Sequence, residues 1–219
     1  MRVIIRIFVS ILLGLFILVL SGTIPELMLL GKSYLRFPVT HTVMLVLSLI
    51  FIYLFSKGKL SVYGLKMIEI KGLIQPFIVG SIAGFVLAGI SSFFTMKGFE
   101  FTKELSLTQV IIFIWIYASV SEEFLTRGLI LGFLAPLSER GIQIFKFRIS
   151  VPVIVSALFF GFMHMGLITM GADMITMLIV IFSAVILGII AGYYREKTES
   201  IIPAIIIHML FNVWGTIIG

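Results

Sequence analysis

The sequence contains no cysteine among its 219 residues. A disulfide framework, a thiolate metal site and a cysteine nucleophile are therefore all excluded. Charged residues are also scarce, at 12%, whereas 60% of the residues are hydrophobic and the mean hydropathy is +1.23. A soluble domain of this size could not bury so much apolar surface, so the chain is predicted to be an integral membrane protein.

Seven apolar stretches are long enough to cross about 30 Å of hydrocarbon as helices, at about 1.5 Å per residue. We place them at residues 3–21, 38–55, 73–94, 108–134, 149–170, 174–193 and 200–218. The first is too long for a signal peptide, and no small-residue cleavage site follows it. Internal repeats and proline-rich linkers are also absent, so residues 1–219 are expected to form a single transmembrane domain. The expected fold is an all-α, multi-pass bundle of about seven helices, in the cell membrane if the source is prokaryotic.

Lysine and arginine indicate the orientation of the spans, because these residues concentrate in short cytoplasmic loops. If the N-terminus is cytoplasmic, eleven of the 16 lysine and arginine residues lie in cytoplasmic segments: Arg2, Arg6, Lys57, Lys59, Lys66, Lys71, Arg140, Lys146, Arg148, Arg195 and Lys197. Four lie in outside segments: Lys32, Arg36, Lys97 and Lys103. This bias predicts a cytoplasmic N-terminus. We interpret the net charge of +6 as a result of this topology and of contact with lipid headgroups. No basic cluster with interleaved aromatics forms a domain, so nucleic acid is not an expected partner.

Residues 61–72 connect the second and third spans, and they alternate charged with apolar side chains. This pattern suits a short helix that lies in the cytoplasmic interface. An ordinary loop with apolar content fits the pattern about equally well.

Three ionisable residues fall inside the fourth span, where an unpaired charge is costly: Glu122, Glu123 and Arg127. Glu123 and Arg127 are four residues apart on one helix face, so they are expected to form an ion pair. Glu122 lies about 100° around the helix from Glu123 and has no equivalent local cation. The two carboxylates should therefore differ in pKa, which is how a general base is separated from a structural charge. Gly128 and Gly132 follow directly, so another helix is expected to press close here.

Histidines lie in two further spans. His164 follows Phe160 by four residues, and His208 precedes Asn212 by four. No role is predicted for His41, which sits near the mouth of the second span. A glutamate that takes a proton from water, a histidine that shares it and a His/Asn pair that donates to an oxyanion would form an amide-hydrolysing site. No GxSxG turn or Ser/Lys dyad accompanies these residues.

The patterns Glu-Glu-x-x-x-Arg, Phe-x-x-x-His and His-x-x-x-Asn occur in this order, with only the sixth span between the last two. In these motifs the chain resembles the CAAX protease and bacteriocin-processing (CPBP or Abi) family of intramembrane glutamic endopeptidases, to which Rce1-like enzymes belong. The resemblance covers roughly residues 108–215, which would be the catalytic core.

The resemblance implies a role for each matching residue. Glu122 would be the general base that activates a water molecule, and His164 would help to hold and polarise that water. His208 and Asn212 would form the oxyanion hole. The remaining motif residues would support the site, namely Glu123, Arg127 and Phe160. The mechanism requires no metal or other cofactor, and the family implies a water-filled cavity that admits a C-terminal segment of the substrate.

The sequence leaves the substrate open. The expected partner is a peptide or protein, with three settings to distinguish: a prenylated CAAX-type C-terminus, a bacteriocin or its leader, or a signalling peptide. A prenylated cysteine needs an apolar slot that opens to the bilayer, and no sequence pattern identifies one. The oligomeric state is not predicted.

Two other classes of protein also stay open. Glu122, His164 and His208 could supply three zinc ligands, with water as the fourth. No His-Glu-x-x-His pair occurs, however, and no obvious carboxylate orients either imidazole. Buried carboxylates and histidines also form proton relays, so the second alternative is a transporter or a non-catalytic membrane immunity protein. The sequence lacks the inverted repeats of common transporters.

Overall fold

The computed structural model describes residues 2–28, 33–94 and 105–218. Within these residues the chain forms seven long helices: α1 (Val3–Met28), α2 (Ser33–Ser56), α3 (Lys71–Ser91), α4 (Leu107–Leu137), α5 (Val151–Met163), α6 (Met174–Thr198) and α7 (Ile202–Ile218). Three lysines of the charge argument lie outside the described residues, namely Lys32, Lys97 and Lys103.

Six of the described helical segments are long and apolar enough to cross a membrane, and α7 is a shorter apolar helix of 17 residues. Large apolar side chains cover the outer faces of the bundle, among them Phe8 of α1, Phe77 of α3 and Phe182 of α6. Apolar surface on this scale requires lipid around it. The prediction of an all-α, multi-pass membrane protein is therefore confirmed.

The last helix packs closely against α3 because glycines allow the two backbones to approach. A Cβ atom added at Gly80 would lie 3.1 Å from the Cα of Ile207, and one added at Gly84 would lie 3.3 Å from the Cα of Phe211. Small residues four apart are typical of such helix contacts in membranes. On its other side α7 packs against α6, which in turn packs against α5.

Helix α4 occupies the centre of the bundle and changes its winding along its length. It is π-helical over Val110–Ala118 and again over Phe124–Ile130, with one α-helical stretch, Ser119–Glu123, between them. Residues 125–132 are all buried, as expected for a helix surrounded by other helices. π-Helical turns occur frequently at functional sites, and here they flank the two glutamates.

The segments predicted to be cytoplasmic meet at one end of the bundle. Arg6 donates a hydrogen bond to the carbonyl oxygen of Phe133 at 2.7 Å, and Ser200 donates to the carbonyl oxygen of Lys66 at 2.7 Å. Arg195 donates to the backbone oxygen of Arg127 at 3.2 Å. The first bond joins the start of α1 to the last turns of α4, the second joins the connections before α3 and α7 to each other, and the third joins α6 to α4.

Two connections at this end have structures that the sequence did not determine. Of the two alternatives for residues 61–72, the ordinary loop is the one observed: a 3₁₀ turn over Leu60–Tyr63 is followed by non-helical chain up to α3. Tyr63 is buried against Gly132, so packing rather than an amphipathic face shapes the segment. Between α4 and α5, the strands β1 (Gly141–Ile144) and β2 (Phe147–Ser150) form an antiparallel hairpin, which the sequence analysis did not predict.

Candidate active site

A buried ion pair lies at the centre of α4. The Nη1 atom of Arg127 donates to the Oε1 atom of Glu123 at 2.8 Å, and both side chains are fully buried. The same nitrogen contacts the hydroxyl of Thr126 at 2.7 Å. The predicted Glu123–Arg127 pair is therefore confirmed, and helical spacing of four residues accounts for it.

The rest of the Arg127 guanidinium faces an aromatic ring. Its Cζ atom lies 4.4 Å from the centroid of the Phe160 ring. The Nε and Nη2 atoms have no hydrogen-bond partner among the described residues, and the ring face attracts the charge of the guanidinium. Phe160 was expected to support the site, and the structure places it directly against the charge.

Glu122 points away from Arg127 towards histidines of other helices. Its Oε1 atom lies 3.2 Å from Nε2 of His41 on α2, and its Oε2 atom lies 3.8 Å from Nε2 of His208 on α7. The expectation that Glu122 lacks a local cation equivalent to Arg127 agrees with this arrangement. The expectation did not include the two imidazoles, which packing of α2 and α7 against α4 brings to the carboxylate.

His208 is oriented by the neighbouring carboxylate. Its Nδ1 atom lies 3.0 Å from the Oε1 atom of Glu123, which also accepts from Arg127. The expectation that no carboxylate orients an imidazole is therefore wrong, and the reason is contact between helices that no local spacing reveals. Glu123 thus connects the ion pair to the histidine that faces Glu122.

His164 begins the 3₁₀ turn that follows α5, and its Nδ1 atom lies 2.7 Å from the carbonyl oxygen of Phe160. The Phe160 ring contacts the rings of His164 and His208 edge to face, with centroids 4.9 and 5.2 Å apart. The Phe160 ring is therefore a common packing partner of the two histidines.

Asn212 lies one turn beyond His208, but its amide group is directed at α4. The Nδ2 atom donates to the carbonyl oxygen of Ile114 and to the hydroxyl of Ser119, each at 3.0 Å. The hydroxyl of Ser119 is itself a donor to the carbonyl oxygen of Trp115. Both amide hydrogens of Asn212 are therefore bonded in this structure.

His41 is the residue of this site that sequence reasoning missed. It precedes every motif that singled out the other residues, and it lies on a different helix. A signal was nevertheless present: His41, Met44, Ser48 and Ile52 recur at helical spacing, and all four are buried on the face of α2 that meets α4. A histidine in such an inward stripe needs a polar partner, and that partner is Glu122.

Two cavities described in the structure lie elsewhere. One, of about 350 Å³, is at the end of the bundle near Arg195 and Glu196, and the other, of about 280 Å³, lies between α3 and α6. The Glu122 side chain is 12% exposed, so it is nearly enclosed by the helices that pack around it. Among the described residues, no group of three or more His, Cys, Asp or Glu side chains has an arrangement suited to a metal ion.

The fold and the site define a multi-pass membrane protein with a buried, histidine-lined pair of carboxylates. A family model described as Type II CAAX prenyl endopeptidase Rce1-like matches residues 104–214, just over half of the chain. The protein therefore belongs to this family, which agrees with the resemblance drawn from the motifs. The match includes Glu122 and Asn212 and leaves out His41. Neither the curated proteins nor the solved structures that were compared with the chain gave a match.

Proposed function

We propose that the protein is an intramembrane endopeptidase in which Glu122 activates water to hydrolyse a peptide bond. One observation carries this proposal: of two adjacent buried carboxylates, only Glu123 is paired with Arg127. Glu123 is bound by Arg127 at 2.8 Å, whereas Glu122 faces imidazoles at 3.2 and 3.8 Å. A guanidinium that is always charged holds Glu123 as a structural anion. Glu122 is free of that cation and can exchange protons. Membership in a family described as Type II CAAX prenyl endopeptidase Rce1-like supports peptidase activity.

The water molecule would be held by Glu122 and His164. Because a carbonyl oxygen only accepts hydrogen bonds, Nδ1 of His164 donates to Phe160, and Nε2 of the neutral ring is left as an acceptor. A water that donates one hydrogen to Glu122 and the other to His164 presents its oxygen lone pair to the substrate. Transfer of its proton to Glu122 accompanies bond formation between the water oxygen and the carbonyl carbon.

The negative charge that develops on the substrate oxygen would be stabilised by His208. Nδ1 of His208 donates to Glu123, so donation from Nε2 to the oxyanion requires the imidazolium. Asn212 would join by exchanging its bond to Ser119 for a bond to the oxyanion. Collapse of the intermediate breaks the C–N bond, and Glu122 returns its proton to the leaving amine, so the products are a carboxylic acid and an amine.

A prenylated CAAX-type peptide is the first substrate to test, because the family description names a CAAX prenyl endopeptidase. The purified protein should be assayed against a farnesylated CAAX peptide and its unprenylated counterpart, with and without exhaustive chelation. We expect cleavage that survives chelation and is lost in Glu122→Gln. Full cleavage by that variant would contradict the general-base assignment.

The same assay separates the alternatives. Cleavage that chelation abolishes and zinc restores would favour the metallopeptidase, and cleavage of both peptides at one rate would favour a peptide substrate without a lipid. Absence of cleavage in a protein that still binds the peptide would favour a non-catalytic role.

A further inference from the structure

His41 is held at both of its ring nitrogens. Nδ1 lies 2.9 Å from the carbonyl oxygen of Phe37, one helical turn earlier, and Nε2 lies 3.2 Å from the Oε1 atom of Glu122. The ring also packs against that of Phe37, with centroids 4.1 Å apart and the two planes tilted by 37°, and His41 is only 6% exposed. The contacts with Phe37 therefore fix the orientation of the His41 ring, and its Nε2 atom points at Glu122, the proposed general base.

These contacts determine where hydrogens must be. A carbonyl oxygen only accepts, so Nδ1 of His41 carries a hydrogen and donates it to Phe37. In a neutral ring, Nε2 would then carry no hydrogen and could only accept a hydrogen bond. The Glu122 oxygen that it faces can also only accept when the carboxylate is ionised. Two acceptors do not bond at 3.2 Å, so this contact requires one further proton between them.

Other ionisable groups belong to the same buried cluster. They are Glu123 and Arg127 on α4, His164 in the 3₁₀ turn after α5, and His208 on α7. With neutral imidazoles, the two carboxylates and the one guanidinium would leave a net charge of −1. Burial of an uncompensated charge is costly, so this cluster can hold a proton on an imidazole.

We propose that His41 is a positioning residue for Glu122. As an imidazolium it donates from Nε2 to Oε1, which fixes the carboxylate and leaves Oε2 to accept the proton from water. This role rests on the proposed function of Glu122. It adds a residue from α2, which lies before the family match at residues 104–214.

Histidine ring nitrogens can be observed without any substrate, and the chain has only three histidines. We would label them with ¹⁵N and record spectra of the whole protein in detergent near pH 7, using Thr42→Val as the control. Both ring nitrogens of His41 should carry hydrogen in the wild type. In Glu122→Gln the added proton is no longer required, so Nε2 should become a bare acceptor. A bare Nε2 in the wild type, or His41 signals that Glu122→Gln leaves unchanged, would overturn the proposal.

Kinetics test the positioning role, with a control on the same two helices. Thr42, the next residue of α2, accepts a hydrogen bond from Tyr117 of α4 at 2.7 Å without touching Glu122. His41→Leu should lower kcat by about 10–10²-fold with KM unchanged, because a displaced base misaligns the water. His41→Gln keeps a donor and should recover most of kcat, and Thr42→Val should have wild-type kcat.

Wild-type kcat in His41→Leu would overturn the proposal. A loss of kcat in Thr42→Val as large as that in His41→Leu would also overturn it. So would an equally large loss of kcat in His41→Gln. Failure of the proposed function has a different signature. In that case the peptide is not cleaved by any variant, while the His41 spectrum still responds to Glu122→Gln.

Discussion

Two ion pairs in this protein have nearly the same geometry and very different surroundings. In α4, Arg127 and Glu123 are 2.8 Å apart, and neither side chain is exposed. At the end of the bundle, Lys66 and Glu199 are 2.6 Å apart, with 50% and 68% of their side chains exposed. Distance therefore does not rank these pairs. Burial decides what each contributes, because loss of one partner leaves a charge either in the protein interior or in water.

The buried pair is also connected to other groups. Glu123 accepts from His208 as well as Arg127, and Arg127 faces the Phe160 ring. The hydrogen bond from Lys66 lowers the pKa of Glu199 from its usual value. The exposed pair therefore contributes to stability at pH values above the ordinary pKa of a glutamate. The contribution is lost as the pH falls through the lowered pKa of Glu199.

The largest effect is expected from breaking the buried pair. Arg127→Met keeps an apolar side chain of similar length and leaves Glu123 without its guanidinium, so the free energy of unfolding should fall by about 3–5 kcal/mol. Unfolding in mixed micelles measures the change.

The double variant Glu123→Leu with Arg127→Met serves as the control. It should be more stable than either single variant, because no lone charge remains buried. Strictly additive losses in this cycle would contradict the buried-pair account.

The next largest effect is expected at Asn212, on the rate of turnover rather than on stability. If its amide bonds the oxyanion, Asn212→Ala should lower kcat by about 10²–10³-fold. Ser119→Ala is the matched control: it removes one of the present partners of Asn212 and should leave turnover near the wild-type rate. A loss of thermal stability in Asn212→Ala with unchanged kcat would assign the residue to packing between α7 and α4.

A smaller effect is expected where α6 passes the buried pair. A Cβ atom added at Gly188 would lie 2.8 Å from the Cα of Ala157 and 2.9 Å from Nη2 of Arg127. The backbone of Ala157 cannot move aside as a flexible side chain can, so Gly188→Ala should destabilise the protein by about 1–3 kcal/mol. At Gly89, in α3, an added Cβ meets nothing within 4 Å, so Gly89→Ala should not destabilise. Equal melting temperatures for the two variants would contradict the close contact.

The smallest effect is expected at the exposed pair. Lys66→Ala leaves Glu199 in solvent, so the melting temperature near pH 7 should stay within experimental error of the wild type. A drop comparable to that of Arg127→Met would show that exposure does not separate the two pairs.

Features that depend on neighbours along the chain were predictable from the sequence. The apolar stretches predicted the membrane helices, and the spacing of Glu123 and Arg127 predicted their ion pair, because both depend on helical geometry alone. The contacts of Glu122 with His41 and of Glu123 with His208 were not predictable. They depend on how α2 and α7 rotate against α4, and no local spacing encodes that rotation.

Short elements were missed for a related reason. The strands Gly141–Ile144 and Phe147–Ser150 are four residues each, too short for a repeating pattern to distinguish them from a loop. The π-helical stretches of α4 likewise leave no recognised mark in its apolar sequence. Such stretches change the winding of α4 over Val110–Ala118 and Phe124–Ile130, which ideal α-helical spacing does not include.

The central claim is that two neighbouring glutamates have separate tasks, with Glu122 accepting the proton and Glu123 holding the structure. The most direct test is the cleavage rate of Glu122→Gln, compared with Glu123→Gln in preparations whose melting temperatures are also measured. The account predicts that Glu122→Gln melts like the wild type and does not cleave, and that Glu123→Gln melts at a lower temperature. Wild-type cleavage by Glu122→Gln would contradict it.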